Sequence, residues 1–296
     1  LKATTGTVVA VFGRRYEVRC DQHDTFDCVS RGKKRIATCG DRVTITITGT
    51  GQGVIEEILP RSSFLERSDQ FKRKAIAANI DQVLILAAVE PRASEEFISR
   101  VLLIAHQAGI PAFIGLNKVD VPGLEDARAR LAMFTLAGYD VIEMKAKPRD
   151  GTPGSAGNAL HELLSGKTTV LVGQSGMGKS SLINALVPNA AAVIGELSIA
   201  LSAGKHTTTF SRLYQIDEST ALIDCPGMQE VGIHHLGFDD LQAGFVEFQP
   251  FLGHCRFYNC RHHREPGCAV KEAVGAGRIH GERLALFCRL LTETSA

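Results

Sequence analysis

The sequence predicts a multi-domain chain: a small N-terminal β-barrel of OB type, a central α/β unit and a C-terminal, mostly α-helical unit. Three observations predict it. Residues 1–65 hold short, alternating, β-branched runs punctuated by glycine. Residues 66–235 alternate apolar strands with segments of helical period. Residues 236–296 combine helical spacing with three crowded cysteines, Cys255, Cys260 and Cys268.

The elements follow in chain order. The runs 6–12, 16–20, 42–48 and 53–58 read as strands, with Gly13, Gly32 and Gly40 supplying turns. About five short strands in some 60 residues suit an OB-type barrel. Residues 66–79, with Lys72, Arg73 and Lys74, read as a linker. The continuous apolar run 81–88 suits a buried parallel strand. A helix is expected from an N-cap at Ser94 to a glycine stop at Gly109. Strands at 111–116, 140–144, 168–172 and 221–224 and a helix at 124–137 complete an α/β sheet with helices on both faces. The Gly/Pro/Ser stretch 148–158 reads as a polar loop, and 239–248 and 279–292 as helices.

Composition narrows the function classes. With 44% hydrophobic and 22% charged residues, the chain falls in the soluble globular class. No apolar run approaches the ~18 residues of a membrane span, so no membrane partner is expected. No signal-peptide pattern opens these residues, and a cytoplasmic monomer is expected. The overall charge is +1, but residues 1–75 carry 14 Lys/Arg against 9 Asp/Glu, and 76–235 carry 12 against 16. Residues 255–289 hold 7 basic groups and 3 acids. Two basic ends flanking an acidic middle suit an extended polyanion. Arg31, Lys33, Lys34 and Arg35 at one end, and Arg256, Arg261 and Arg264 at the other, are the candidates for RNA phosphates. Few aromatics and no Trp argue against a binder dominated by base stacking.

Residues 173–180 fit G-x-x-x-x-G-K-[ST] between a strand and a helix. In Gly173, Gln174, Ser175, Gly176, Met177 and Gly178, the glycines let backbone N–H groups turn inward to cradle phosphate oxygens. Lys179 places a point charge on the β- and γ-phosphates, and Ser180 offers its hydroxyl to Mg²⁺. The helix that continues through Ser181 adds favourable partial charge. Asn117, Lys118, Val119 and Asp120 form an N-K-x-D loop at the end of an apolar strand. The Asp120 carboxylate would accept from guanine N1–H and the exocyclic amino group, which adenine cannot supply. Nucleotide choice is therefore GTP and GDP. Asp224 and Gly227, in D-C-P-G, would approach Mg²⁺ through water and the γ-phosphate respectively. In the stretch 204–209, Thr208 is the expected Mg²⁺ ligand, with Thr207 second.

Met228 stands where many GTPases carry a water-orienting Gln, and it has no group to orient water. Gln229 follows it, and Lys205 would add positive charge. His206, polar and beside the threonines, is the catalytic candidate. The short connection from Gly227 into the C-terminal segment offers a route from nucleotide state to that segment. There, Cys255, Cys260, Cys268 and one of His262 or His263 offer the Cys₃His set of a closed, structural zinc site. Cys288 falls in the apolar stripe of the last helix.

The guanine loop here precedes the phosphate loop, the reverse of the order in most GTPases. This order, with Arg31, Gly32 and Lys33, the stretches 40–43, 78–82, 173–181 and 204–209, and the cysteine cluster, resembles the RsgA (YjeQ) family of circularly permuted ribosome-assembly GTPases over nearly the whole chain. The resemblance implies an OB-fold at 1–65, a circularly permuted P-loop GTPase domain at 66–235 and a zinc domain at 236–296. It implies one structural Zn²⁺ and Mg²⁺ with GTP. It also implies hydrolysis stimulated by the small ribosomal subunit, with that subunit and its rRNA as partner, in late subunit maturation. It favours His262 over His263 as fourth zinc ligand, and it agrees with His206 as catalytic. Two departures stand out. The loop expected at guanine O6, usually Ser-Ala, is Lys145 and Ala146, where Ala146 offers a backbone N–H, and the 148–158 loop is expanded.

Overall fold

Five short strands open the chain in the computed structural model: β1 (Ala3–Phe12), β2 (Arg15–Cys20), β3 (Thr25–Ser30), β4 (Arg42–Gly49) and β5 (Gln52–Ile58). The structure describes residues 3–21, 24–31, 36–68, 72–147, 157–187, 211–225 and 231–294. The order β1-β2-β3-β5-β4 closes on itself because β1 also pairs with β4, so the barrel leaves no open edge within itself. Strand β1 serves both neighbours through a bulge between Val8 and Ala10. Gly6 permits the close approach, since a Cβ there would lie 2.7 Å from the Arg19 carbonyl. Val8, Tyr16, Val18, Val43, Ile45 and Ile55 alternate inward and fill the barrel.

Residues 66–79 are not a linker. β6 (Phe64–Ser68) and β7 (Arg73–Ala78) pair as an antiparallel hairpin. The charge run at its turn disguises an apolar back: Leu65, Ile76, Ala77 and Ala78 are buried.

The central sheet comprises β8 (Gln82–Ala88), β9 (Ala112–Asn117), β10 (Val141–Glu143), β11 (Thr168–Val172), β12 (Ser211–Gln215) and β13 (Ala221–Asp224). Its order is β10-β9-β8-β11-β13-β12, with only β12 antiparallel. Every residue of β8 is buried, as a central parallel strand requires. The helices are α1 (Glu95–Gln107), α2 (Leu124–Leu136), α3 (Asn158–Leu164) and α4 (Lys179–Leu186). Ser94 caps α1, its hydroxyl accepting from the Phe97 N–H at 3.2 Å. Strand β12 also pairs with β1, so barrel and central sheet form one eleven-stranded sheet.

The C-terminal part holds α5 (Phe238–Gly244), a 3₁₀ helix (Val246–Phe251), α6 (Ala269–Gly275) and α7 (Gly281–Thr294). The helix expected over 239–248 breaks at Phe245. Gly244 lies so close to α1 that a Cβ would meet Leu103 at 2.5 Å, and Phe245 and Phe248 turn in against Phe287 at ring separations of 5.3 and 5.2 Å. The buried Arg283 guanidinium bonds Glu247 at 2.6 Å and the Ser99 hydroxyl of α1 at 2.9 Å. The C-terminal helices thus share one core with the central sheet. Among the described residues no helix is long and apolar enough to cross a membrane.

Candidate functional site

The parallel pairing of β8 with β9 and β11 brings two strand ends together, Asn117 opposite Ala88 and Val172 opposite Ile85. Ligands bind at such carboxyl ends in open α/β sheets. The loop 173–178 leaves β11 and enters α4. Gly176 and Gly178 have φ of +81° and +96°, a region that favours glycine. Lys179 Nζ donates to the Gly173 and Gln174 carbonyls at 2.5 and 3.2 Å. Burial lowers its pKa, and Asp224 opposes that shift. Gln174 accepts from the Ser94 N–H at 2.9 Å, tying the loop to the cap of α1. Met177 is buried, Ser181 half-buried, and Ser175 and Ser180 are exposed.

The 117–120 loop is latched onto this one. Asn117 Nδ2 donates to the Met177 carbonyl at 2.9 Å, and Lys118 Nζ donates to the Gly176 and Glu90 carbonyls at 2.8 and 2.7 Å. Lys118 itself takes a φ of +60°. Beside the latch opens a cleft of about 380 Å³, with Asp120, Lys147 and Ser181 on its walls. Val119 donates its N–H to the Met144 carbonyl at 3.4 Å. The Ala146 N–H, expected to face guanine O6, instead donates to Asn117 Oδ1 at 3.0 Å. It secures the loop from below.

Asp224 ends β13 opposite Leu171 of β11, which places its carboxylate beside Lys179. Asp224 Oδ1 is buried with no hydrogen-bond partner. Burial pushes its carboxyl up to about 6, with Lys179 opposing. An orphaned buried carboxylate oxygen at this place fits the neighbourhood of a hydrated divalent cation. Lys205, His206, Thr207, Thr208, Gly227, Met228 and Gln229 lie outside the described residues, as do Gly32, Lys33, Lys34 and Arg35.

A second cluster lies in the C-terminal part. One donor atom each from Cys255, Cys260, His262 and Cys268 falls within 4.8 Å of every other. His262 Nδ1 stands 3.6 Å from Cys255 Sγ, 3.6 Å from Cys260 Sγ and 3.3 Å from Cys268 Sγ, and Cys255 and Cys268 are 3.9 Å apart. A tetrahedron with metal–sulfur bonds of about 2.3 Å and a metal–nitrogen bond of about 2.0 Å has edges of roughly 3.5–3.8 Å. These four separations lie near that size, and all six fall within 4.8 Å. His262, at φ +61°, turns its ring inward among Phe238, Phe248 and Phe287, whereas His263 is exposed. The Gln242 side-chain amide lies 3.2 Å from His262 Nε2 and orients the ring from behind. Nothing in the sequence distinguishes Gln242 from an ordinary solvated helix residue. The roles of Gln242 and Arg283 are therefore visible only in three dimensions, as is the bond from the Ser94 N–H to Gln174.

A family model described as RsgA GTPase matches residues 58–234. A relative from Burkholderia pseudomallei (strain 1710b), named small ribosomal subunit biogenesis GTPase RsgA, is 49% identical over 292 residues, covering 98% of this chain and 92% of that one. A protein of the same name from Paraburkholderia phytofirmans is 48% identical over 297 residues, covering 98% and 93%. The crystal structure of YjeQ from Thermotoga maritima matches with a TM-score of 0.74 at 28% identity, covering 100% of this chain and 99% of that one. YloQ, described as a circularly permuted GTPase, matches with a TM-score of 0.67 at 25% identity, covering 99% and 96%.

Proposed function

This chain belongs to the RsgA GTPase family, and from that premise we propose how it acts as a GTPase of small ribosomal subunit biogenesis. It hydrolyses GTP to GDP and phosphate, and the subunit, engaged through its rRNA late in maturation, stimulates turnover. The observation that carries this reading is the latch between the two nucleotide loops: Asn117 and Lys118 bond the carbonyls of Met177 and Gly176. It unites a guanine-selective loop and a phosphate loop that are distant in sequence and reversed in order.

In this reading Asp120 selects guanine, with Asn117, Lys118 and Val119 shaping the base pocket. The backbone of 173–178 cradles the phosphates, Lys179 neutralises them, and Ser181 extends the cradle into α4. Ser180 and Thr208 would ligate Mg²⁺, with Asp224 behind it, and Gly227 would bond the γ-phosphate. The cation supplies charge neutralisation at the β- and γ-oxygens. His206 orients the attacking water in place of the Gln that Met228 displaces. The Cys255, Cys260, His262 and Cys268 cluster would hold one structural Zn²⁺. The proposed units are a barrel over 1–65, a GTPase unit over 66–235 and a zinc unit over 236–296, in a cytoplasmic monomer.

Multiple-turnover GTP hydrolysis, alone and with purified small or large subunits at fixed salt, tests the reading. Stimulation by the small subunit alone supports it, and equal rates with either subunit or none overturn it. His206→Ala should lower stimulated kcat by about 100-fold or more while leaving GTP affinity nearly unchanged. Full stimulated turnover in that variant removes His206 from the mechanism.

A further inference from the structure

Among the described residues, the only exposed Phe or Tyr side chains are Phe257 and Tyr258, and they are neighbours. Tyr258 stands fully in solvent and Phe257 is 42% exposed, in a chain with 14 Phe and 4 Tyr. Both sit in the four-residue loop between the clustered thiols Cys255 and Cys260. This loop is held at several points. The Cys260 N–H donates to the Phe257 carbonyl at 3.2 Å, and the Arg256 N–H donates to the Gly267 carbonyl at 2.8 Å. A rigid turn whose ends converge on one cluster presents an aromatic ring at little entropic cost.

The charges around it are equally biased. The Glu265 carboxylate faces inward and accepts the backbone N–H groups of Arg261, His263 and Arg264, each at 3.0 Å. Arg256, Arg261 and Arg264 form no ion pair among the described residues. The Arg256 guanidinium lies 5.5 Å from the centroid of the Phe257 ring. The Arg261 guanidinium lies 5.5 Å from the centroid of Phe238, and arginines with no carboxylate partner among the described residues, beside an open ring, suit phosphates flanking a base, since every base has a face to stack. Two exposed rings flanked by three arginines suit a nucleic acid better than the core of a protein interface, where charged groups are depleted.

We propose that the loop 256–264 is a platform for an unpaired RNA base, which stacks on Tyr258 while Arg256, Arg261 and Arg264 hold the adjoining phosphates. This deepens the function proposed above and rests on its RNA partner. It also revises the compositional argument against stacking: aromatics are few, but the exposed ones sit together on the zinc loop.

The test uses the full chain and a labelled single-stranded RNA of about 12 nucleotides, free or annealed to its complement. Tyr258→Ala should weaken binding to the single strand by about 5- to 100-fold, leave duplex binding unchanged, and keep wild-type metal content and melting temperature. Tyr258→Phe should bind as wild type. Arg256→Ala should weaken both forms and reduce the salt slope by about 1. Wild-type single-strand affinity in Tyr258→Ala, or equal losses on both forms, overturns the proposal. Loss of small-subunit binding with RNA affinity intact assigns the loop to a ribosomal protein and also overturns it. GTP turnover without subunits, measured in parallel, tells failure of this proposal from failure of the GTPase reading, because Tyr258→Ala should not alter it.

Discussion

Gly178 has a φ of +96°, and a Cβ there would lie 2.3 Å from Asn117 Nδ2. A Gly178→Ala chain therefore meets backbone strain and a displaced latch together. Each costs on the order of 1–3 kcal/mol, so GTP affinity should fall by about 10-fold or more, which nucleotide titration measures. Wild-type affinity would show that the latch does not shape the pocket. The motif spacing predicts that glycine is needed here, but not what it makes room for. That depends on the register of β8 with β9 and β11, which brings Asn117 under the loop. The same limit applies to Ala146. Its place after the third parallel strand is legible, but the direction of its N–H toward Asn117 is a tertiary fact. His262 and His263 are chemically identical in the sequence, and only the left-handed backbone at His262 turns one ring into the cluster and leaves the other outside.

Elements with strong periodicity or a motif at their ends are legible in advance: α1 from its Ser94 cap, β8 from its unbroken apolar run, β11 and α4 from the phosphate loop between them. The hairpin β6–β7 is not, because Lys72, Arg73 and Lys74 mask the small apolar residues that back it. The break at Phe245 is not either, since close packing on Leu103 forces it. Arg283 shows how the C-terminal elements are held. Its side chain and that of Glu247 are 2% and 5% exposed, and Ser99 of α1 completes its bonding. Arg283→Ala would leave the Glu247 carboxylate buried without a cation and should destabilise the fold by about 3–5 kcal/mol. The double variant with Glu247→Gln should recover part of that loss, and urea denaturation of both checks the point. Zinc should act on a different element. Cys260→Ser should abolish stoichiometric zinc and loosen the 255–268 loop, measured by metal analysis and amide exchange. GTP affinity should stay within about 2-fold, because among the described residues the nucleotide loops draw no bond from that cluster.

At the scale of the molecule, the question is where a nucleotide signal leaves the central sheet. Connectivity alone points toward the C-terminal part, because Gly227 leads into it. Packing points the other way. Arg100 of α1 is paired with Glu293 of α7, and Arg283 of α7 donates to the Ser99 hydroxyl of α1 at 2.9 Å. Reorienting the C-terminal part against α1 would break these partly or fully buried bonds at once. Strand β12 is a lighter link. It begins at Ser211, just after the segment that holds His206 and Thr208, and pairs through Arg212 with Asp224 of β13. On its other side Arg212 pairs with Ala10 of the barrel, and its guanidinium meets Glu17 at 3.3 Å, while Arg19 donates to Gln215 at 2.7 Å. One strand between the two loops that would sense the γ-phosphate is thus completed by the barrel. Exchanging GDP for a non-hydrolysable GTP analogue should change amide exchange in β12 and β1 and leave α7 unchanged. Glu17→Gln with Arg19→Ala should lower subunit-stimulated turnover by about 5-fold or more, with basal hydrolysis intact. A nucleotide-dependent change in α7 with none in β1 would return the signal to the C-terminal part. The predicted pattern instead makes the barrel the part of the molecule that reports which nucleotide is bound.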